Sequence, residues 1–267
     1  MAEQMNSCAE AKAVMPVVDA LVFRALNVVA ARNCKPGLEI CSDALNRLYY
    51  ASSDLSADKV DVVIREMLAA GIPAEMISDA YIPLIARKMG EEWVDDDMNF
   101  ASVTIGTARL QSAMRFLSTC WTLPRQNDRD GDLQSVIVIV GQDVFHTLGA
   151  VVLSGQLRRM GVSVRLMMGA SEGELQDVFK VSRFDAVLIS SSGSESLESL
   201  ARMVETIRQA ASVCPPVVIG GNILGQDVDV KALTGADFAT SDPGKALEFC
   251  GLKMNQTVNR LLPEQRS

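Results

Sequence analysis

The chain contains a single histidine, His146, and it follows a run of buried-strand character at 136–140. In an open parallel sheet, ligands bind beyond the carboxyl ends of the strands, near the point where the strand order reverses. A neutral imidazole at that place is well suited to hold a transition metal. A lone histidine in a turn is also commonly a surface residue, so its meaning depends on the elements that position it.

Composition limits the class of protein. The 267 residues can bury a large core in one domain or two. A formal net charge of −8 disfavours a nucleic-acid surface, which is normally basic, so we expect no direct DNA contact. No apolar run approaches the roughly 20 residues that span a bilayer, so no membrane contact is expected. The six cysteines form no Cys-x-x-Cys pair and indicate reduced thiols in a cytoplasmic protein.

The first half of the chain has helical periodicity. Helices are predicted over about 14–29, after the N-cap Ser56, from Pro73 onwards and over 100–121, with Pro83 expected to bend the third. Four helices of this length favour a four-helix bundle, which we assign to a cap domain at 1–123. The apolar helix within the first forty residues either packs on this bundle or acts as an interaction arm.

A polar stretch at 124–133 is typical of a linker, and beyond it, at 134–256, strands and helices alternate before a tail at 257–267. Strands are predicted at 136–140, 162–168, 185–190, 216–219 and 236–240, each followed by a helix. Continuously apolar strands separated by helices indicate a parallel sheet covered on both faces. We therefore predict a doubly wound, flavodoxin-like domain.

Two common uses of such a domain lack the residues they need. A dinucleotide site requires a glycine-rich turn after the first strand, but bulky Val144 and Phe145 stand between Gly141 and Gly149. A phosphate-receiving domain requires an aspartate at the end of the third strand, where this chain has Ser190.

A third use fits three strand ends at once. His146 is followed three residues later by Gly149, the third strand ends in serines 190–192, and the fourth ends in Gly220 and Gly221. This arrangement resembles cobalamin-binding Rossmann-like domains, which carry Asp-x-His-x-x-Gly, Ser-x-Leu and Gly-Gly at these places. Glycines and serines end strands in any doubly wound fold, so the resemblance depends on all three motifs occurring together at the expected strand ends.

The helical half adds to the resemblance. Such domains follow a four-helix cap with a pattern like Ile-Pro-x-x-x-x-x-x-Gly-x-x-Trp, and here Ile82-Pro83 precedes Gly90 and Trp93. The resemblance implies that Trp93 lies against the upper face of the corrin; a tryptophan buried in the core is the alternative.

Three departures bear on function. Val144 stands where methyltransferases and mutases carry the aspartate that hydrogen-bonds the histidine, and Ser192 replaces the leucine of Ser-x-Leu. Light-sensing cobalamin repressors place Glu-His after the cap tryptophan, where this chain has Val103-Thr104. Any axial nitrogen from the protein must therefore come from His146.

With these departures, the stretches at 100–111 and 144–149 resemble the AerR/PpaA family of photosynthetic bacteria, and the resemblance covers about 55–250. It implies a non-enzymatic, cytoplasmic antirepressor that binds cobalamin and, in response to light, relieves a transcriptional repressor of photosystem and pigment genes. Related domains bind haem. The alternatives are thus a corrinoid carrier of a methyltransferase system and a haem-binding redox sensor.

The resemblance also implies a cofactor site. His146 would be the lower axial ligand of cobalt in hydroxo-, aquo- or adenosylcobalamin, or would bind haem in the alternative. Trp93 and Thr104 would cover the upper face. The remaining cofactor-binding residues would be Phe145, Gly149, Ser190, Ser192, Gly220 and Gly221, of which the serines and the glycine pair line the pocket for the nucleotide tail.

Overall fold

The computed structural model describes residues 40–54, 59–121, 134–142 and 147–254. The predicted helix over 14–29, the N-cap Ser56, the linker 124–133 and two site residues, Phe145 and His146, lie outside these ranges. The described helical and sheet parts belong to one compact unit.

The described helical part contains four helices that share one apolar core. They are α1 (Ser42–Ser53), α2 (Lys59–Ala69), α3 (Ala74–Met76, a π-helical turn Ile77–Tyr81, and Ile82–Val94) and α4 (Phe100–Cys120). The last three match predicted helices, whereas α1 was not predicted. The four-helix cap stays a prediction, because its first predicted helix lies outside the described residues.

Helix α1 escaped prediction because part of its support comes from a distant residue. Its sequence, SDALNRLYYASS, is rich in serine and has no cation in its last turn. Arg109 of α4 supplies that cation, donating to the carbonyl of Ser52 at 3.1 Å and to that of Asp54. A guanidinium at a helix C-terminus satisfies carbonyls that the helix itself leaves open.

Pro83 produces a local change of helix type. A proline inside a helix cannot donate to the preceding turn, and its ring crowds the carbonyl four residues earlier. In α3 the turn just before Pro83 is π-helical, and the Ile82 N–H donates to the Ile77 carbonyl. The wider turn accommodates the ring, so the helix continues to Val94.

The second half forms a five-stranded parallel sheet in the order β2-β1-β3-β4-β5, so the predicted doubly wound sheet is confirmed. Its strands are β1 (Ser135–Gly141), β2 (Ser163–Ala170), β3 (Ala186–Ser191), β4 (Val217–Gly221) and β5 (Phe238–Ala239). Its helices are α5 (Leu148–Arg159), α6 (Glu172–Val181), α7 (Leu197–Ala210), α8 (Val230–Thr234) and α9 (Pro243–Phe249). A 3-10 turn, Asn222–Gly225, follows β4.

Alternate residues of the strands feed two separate cores. In β1, Ile137 and Ile139 pack with residues of α6, α7 and α8, while Val136, Val138 and Val140 pack with residues of α5 and α9. Side chains alternate across a strand, and both faces are covered, so continuous apolar runs are required. None of the helices in the described ranges is long and apolar enough to cross a membrane.

Helix α5 belongs to both halves. Leu148 and Val152 lie in the core of the helical part, whereas Ala150 and Leu157 lie in the core on the sheet. The helix after β1 is therefore buried between the sheet and the helices that precede it in the chain.

Candidate functional site

The strand order places a crevice between β1 and β3. The chain leaves β1 for α5 on one face of the sheet and leaves β3 for α7 on the other face. Such a reversal is the topological switch point at which open α/β sheets bind ligands. The turn that carries His146 connects β1 to α5, so its ends, Gln142 and Thr147, flank this crevice.

Gly149 and Ser190 face each other across the crevice. Gly149 is exposed in the first turn of α5, and a Cβ added to it would lie 4.0 Å from the Ser190 hydroxyl oxygen. A larger side chain at 149 would extend towards the end of β3. Two residues that were predicted separately from the sequence are thus brought together at this edge of the sheet.

Gly220 and Gly221 have packing requirements of their own. A Cβ on Gly220 would lie 2.7 Å from the Thr240 carbonyl oxygen, and one on Gly221 would lie 2.2 Å from the Ser191 carbonyl oxygen. Gly221 also has a φ of +100°, which favours glycine. Close backbone approach at the end of β4 therefore accounts for both glycines, whatever they bind.

The serine-rich loop after β3 is internally hydrogen-bonded. Ser192 is buried, and its hydroxyl lies 3.0 Å from that of Ser194. The Gln226 amide donates to the Gly193 carbonyl at 2.9 Å and so ties this loop to the one after β4.

Glu195 lies in this loop and was not among the predicted site residues. It is half-buried, and its Oε2 atom is buried without a hydrogen-bond partner among the described residues. Burial raises the pKa of Glu195, and a hydrogen bond from Ser191 offsets only part of the rise. No spacing rule marks a glutamate in a serine-rich loop, so only the fold reveals it.

Trp93 and Thr104 lie in the helical part and both contact Phe100. The Trp93 side chain is 39% exposed, which excludes the alternative of a core tryptophan, and its ring centroid lies 6.0 Å from that of Phe100. The Thr104 hydroxyl donates to the Phe100 carbonyl at 2.8 Å, so its proton is already committed to the helix. Phe100 itself is 67% exposed.

A hydrogen bond orients this part of α4. The Gln111 amide donates to the Thr147 hydroxyl at 2.7 Å, joining α4 to the residue directly after the His146 turn. Residues spaced four and seven apart share one side of a helix, so Phe100, Thr104 and Gln111 lie on a common side. That side of α4 is therefore directed towards the β1–α5 turn. The roles of His146 and Phe145 stay predictions.

Two solved structures resemble the chain weakly. A cobalamin-binding protein from Desulfitobacterium hafniense is 19% identical with a TM-score of 0.37, and the match covers 78% of this chain and 97% of that one. The methanol:cobalamin methyltransferase complex MtaBC from Methanosarcina barkeri is 11% identical with a TM-score of 0.38, covering 94% and 100%. At these values neither comparison bears on the cofactor of this chain.

Sequence comparison is more informative. No family model matches the chain. An uncharacterized 20.5 kDa protein in the bchF-crtJ intergenic region of Rhodobacter capsulatus is 36% identical over 183 residues, which are 68% of this chain and 94% of that protein. The chain belongs to the same family as this Rhodobacter capsulatus protein.

Proposed function

We propose that the chain is a cobalamin-binding, light-responsive antirepressor of the AerR/PpaA type, which acts by protein contact and not as an enzyme. The observation that carries the proposal is the meeting of two predicted site residues at the switch point, where Ser190 at the end of β3 faces Gly149 in the first turn of α5. The chain segment that contains His146 joins β1 to α5. A ligand-binding motif would be expected at this edge of the sheet and not at the other.

The described residues around this edge fit a corrinoid. Gly149 places no side chain between α5 and the Ser190 hydroxyl, so this strand end is left uncovered by residue 149. The exposed residues of α4 from its first residue to 112 are all uncharged: Phe100, Ala101, Thr104, Ile105, Ala108 and Ser112. A contiguous uncharged surface on a protein with a net charge of −8 suits the face of a neutral macrocycle.

Each residue then has a defined task. The His146 imidazole would hold cobalt from below, and Ser190, Ser192, Gly220 and Gly221 would line the space for the nucleotide tail. Trp93 and Thr104 would cover the opposite face, and Gln111 would keep α4 directed towards the turn. Adenosylcobalamin, when bound, would supply a cobalt–carbon bond that light can break.

The partner would be a transcriptional repressor protein. The chain carries 33 acidic and 25 basic residues, which favours contact with a basic protein over contact with DNA. The relative lies between bchF and crtJ, in a photosynthesis-gene region, where a regulator of pigment genes would be expected. Cofactor state would control the contact by shifting the population of conformations that the repressor recognises.

Absorption spectroscopy of the purified protein tests the proposal. Wild type and His146→Ala are mixed with hydroxocobalamin, and with adenosylcobalamin in darkness and after illumination. We expect wild type to retain corrinoid, to show a spectrum altered by histidine ligation and to respond to light. The His146→Ala variant should lack this spectral change. A wild-type protein that takes up no corrinoid under any illumination would overturn the proposal.

The same samples separate the two alternatives. A Soret band that depends on His146, without corrinoid uptake, would indicate a haem sensor. Corrinoid uptake combined with methyl transfer to a partner enzyme would indicate a carrier protein. We expect no methyl transfer, because Val144 replaces the aspartate that carriers use behind their histidine.

A further inference from the structure

Glu195 carries a buried carboxylate oxygen that the described protein does not satisfy. The residue lies between β3 and α7, and its Oε2 atom is buried with no hydrogen-bond donor among the described residues. Buried polar atoms in proteins almost always have partners, and a lone carboxylate oxygen is costly to maintain. Its expected partner is therefore an N–H or O–H group outside the described residues.

The surrounding loop holds this carboxylate in place. The Glu195 N–H donates to the Ser192 carbonyl at 3.3 Å, and the loop is tied to the β4 side through Gln226 and Gly193. Ser191, which precedes the loop, pairs in register with Gly221 at the carboxyl edge of the sheet. Glu195 is thus held at the carboxyl edge of the sheet, on the side of β4, by the contacts of its loop.

The chemistry of the oxygen restricts what it can meet. An ionised carboxylate only accepts hydrogen bonds, so its partner must be an N–H or O–H group. It repels carboxylate groups, such as the propionates at the edge of haem. Corrinoids carry amide side chains around the ring, and their single phosphate lies in the nucleotide tail, so the two candidate cofactors differ in the groups that the ring edge would present to Glu195.

We infer that Glu195 is a specificity-determining residue that accepts a hydrogen bond from an amide of the bound corrinoid and disfavours haem. This inference rests on the proposed function and assigns a residue to that site outside the His146, serine and glycine motifs. Such a hydrogen bond would satisfy the buried Oε2 atom of Glu195.

Equilibrium titrations with hydroxocobalamin and with hemin test the inference on wild type, Glu195→Ala and Glu195→Gln. Glu198→Ala is the matched control, since that carboxylate has 82% of its side chain exposed. We expect Glu195→Ala to weaken corrinoid binding about 10- to 100-fold, as for a lost hydrogen bond to a charged group. Glu195→Gln should raise hemin affinity relative to corrinoid affinity, and the control should change neither.

Thermal unfolding of the apo proteins separates recognition from a structural role. Glu195→Ala removes a buried oxygen that has no described partner. Its midpoint temperature of unfolding should therefore equal or exceed that of wild type, while its corrinoid affinity falls. A lowered midpoint would overturn the inference, as would unchanged corrinoid affinity in a wild-type background that binds corrinoid. If wild type takes up no corrinoid, the proposed function fails as well, so the two failures are distinguishable.

Discussion

The two ends of α5 attach the helical part to the sheet part in different ways. At the C-terminal end, Arg159 is 8% exposed, bonds both carboxylate oxygens of Asp79 at 2.7 Å, and lies 4.3 Å from the centroid of the Trp121 ring. At the N-terminal end, Leu148 and Val152 pack in the apolar core of the helical part, and Thr147 meets Gln111 through one neutral hydrogen bond. The charged attachment lies away from the candidate site, and the apolar attachment with its neutral hydrogen bond adjoins it.

This difference concerns the polar contacts at the two ends. A buried charged contact is costly to break, whereas a single half-buried neutral hydrogen bond contributes little. The conformational change that we propose for signalling would therefore keep Asp79 and Arg159 paired and Leu148 and Val152 packed, and would break the hydrogen bond between Gln111 and Thr147 beside the cofactor.

The largest expected effect follows from removing Asp79. Asp79→Ala leaves the Arg159 guanidinium buried without its carboxylate, so we expect unfolding free energy to fall by about 3 kcal/mol. Asp177→Ala is the control, since its pair with Lys180 is exposed and should contribute less than about 0.5 kcal/mol. Urea denaturation measures both. Equal losses in the two variants would show that the C-terminal end of α5 is not specially attached.

A smaller effect is expected at Gly155, over which Trp121 packs. A Cβ there would lie 2.6 Å from a ring carbon of Trp121, so Gly155→Ala should cost about 1–2 kcal/mol through overpacking. Gly90→Ala in α3 is the control, because its Cβ would meet no atom within 4 Å. That variant should gain up to about 1 kcal/mol from helix propensity. A stabilised Gly155→Ala would contradict the close packing at this end.

The smallest effect is expected at the N-terminal end. Gln111→Ala removes one hydrogen bond and should lower the unfolding free energy by only about 0.5–1 kcal/mol. Hydrogen exchange of the amides in the first turn of α5 should nevertheless accelerate, because α4 no longer holds Thr147. A loss comparable to that of Asp79→Ala would remove the distinction between the two ends.

The sheet half was predicted well because its signals are local. Each strand is an apolar run and each helix has its own period, so strands and helices were found within a few residues of their observed bounds. Helix α1 was not predicted, because part of its support comes from far along the chain. Arg109 donates to the carbonyl of Asp54, which lies 55 residues earlier, at the C-terminal end of α1. The expected bend at Pro83 became a π-helical turn, because hydrogen-bond type responds to packing as well as to the proline ring.

The candidate site also contains features that could be predicted from the sequence and features that could not. Its motif residues could be selected from the sequence, because strand ends and turns are local features and parallel strands end at one edge. The backbone contacts of Gly220 and Gly221 could not be foreseen, and neither could the lone oxygen of Glu195.

Local patterns in the chain were enough to specify a parallel, doubly wound sheet and the turns at its carboxyl edge, because alternation, periodicity and turn chemistry act between near neighbours. The sharing of α5 between two cores and the pairing of Asp79 with Arg159, 80 residues apart, were decided by the tertiary structure. Contacts between distant residues depend on how completed elements pack, and the spacing of residue types along a chain does not contain that information.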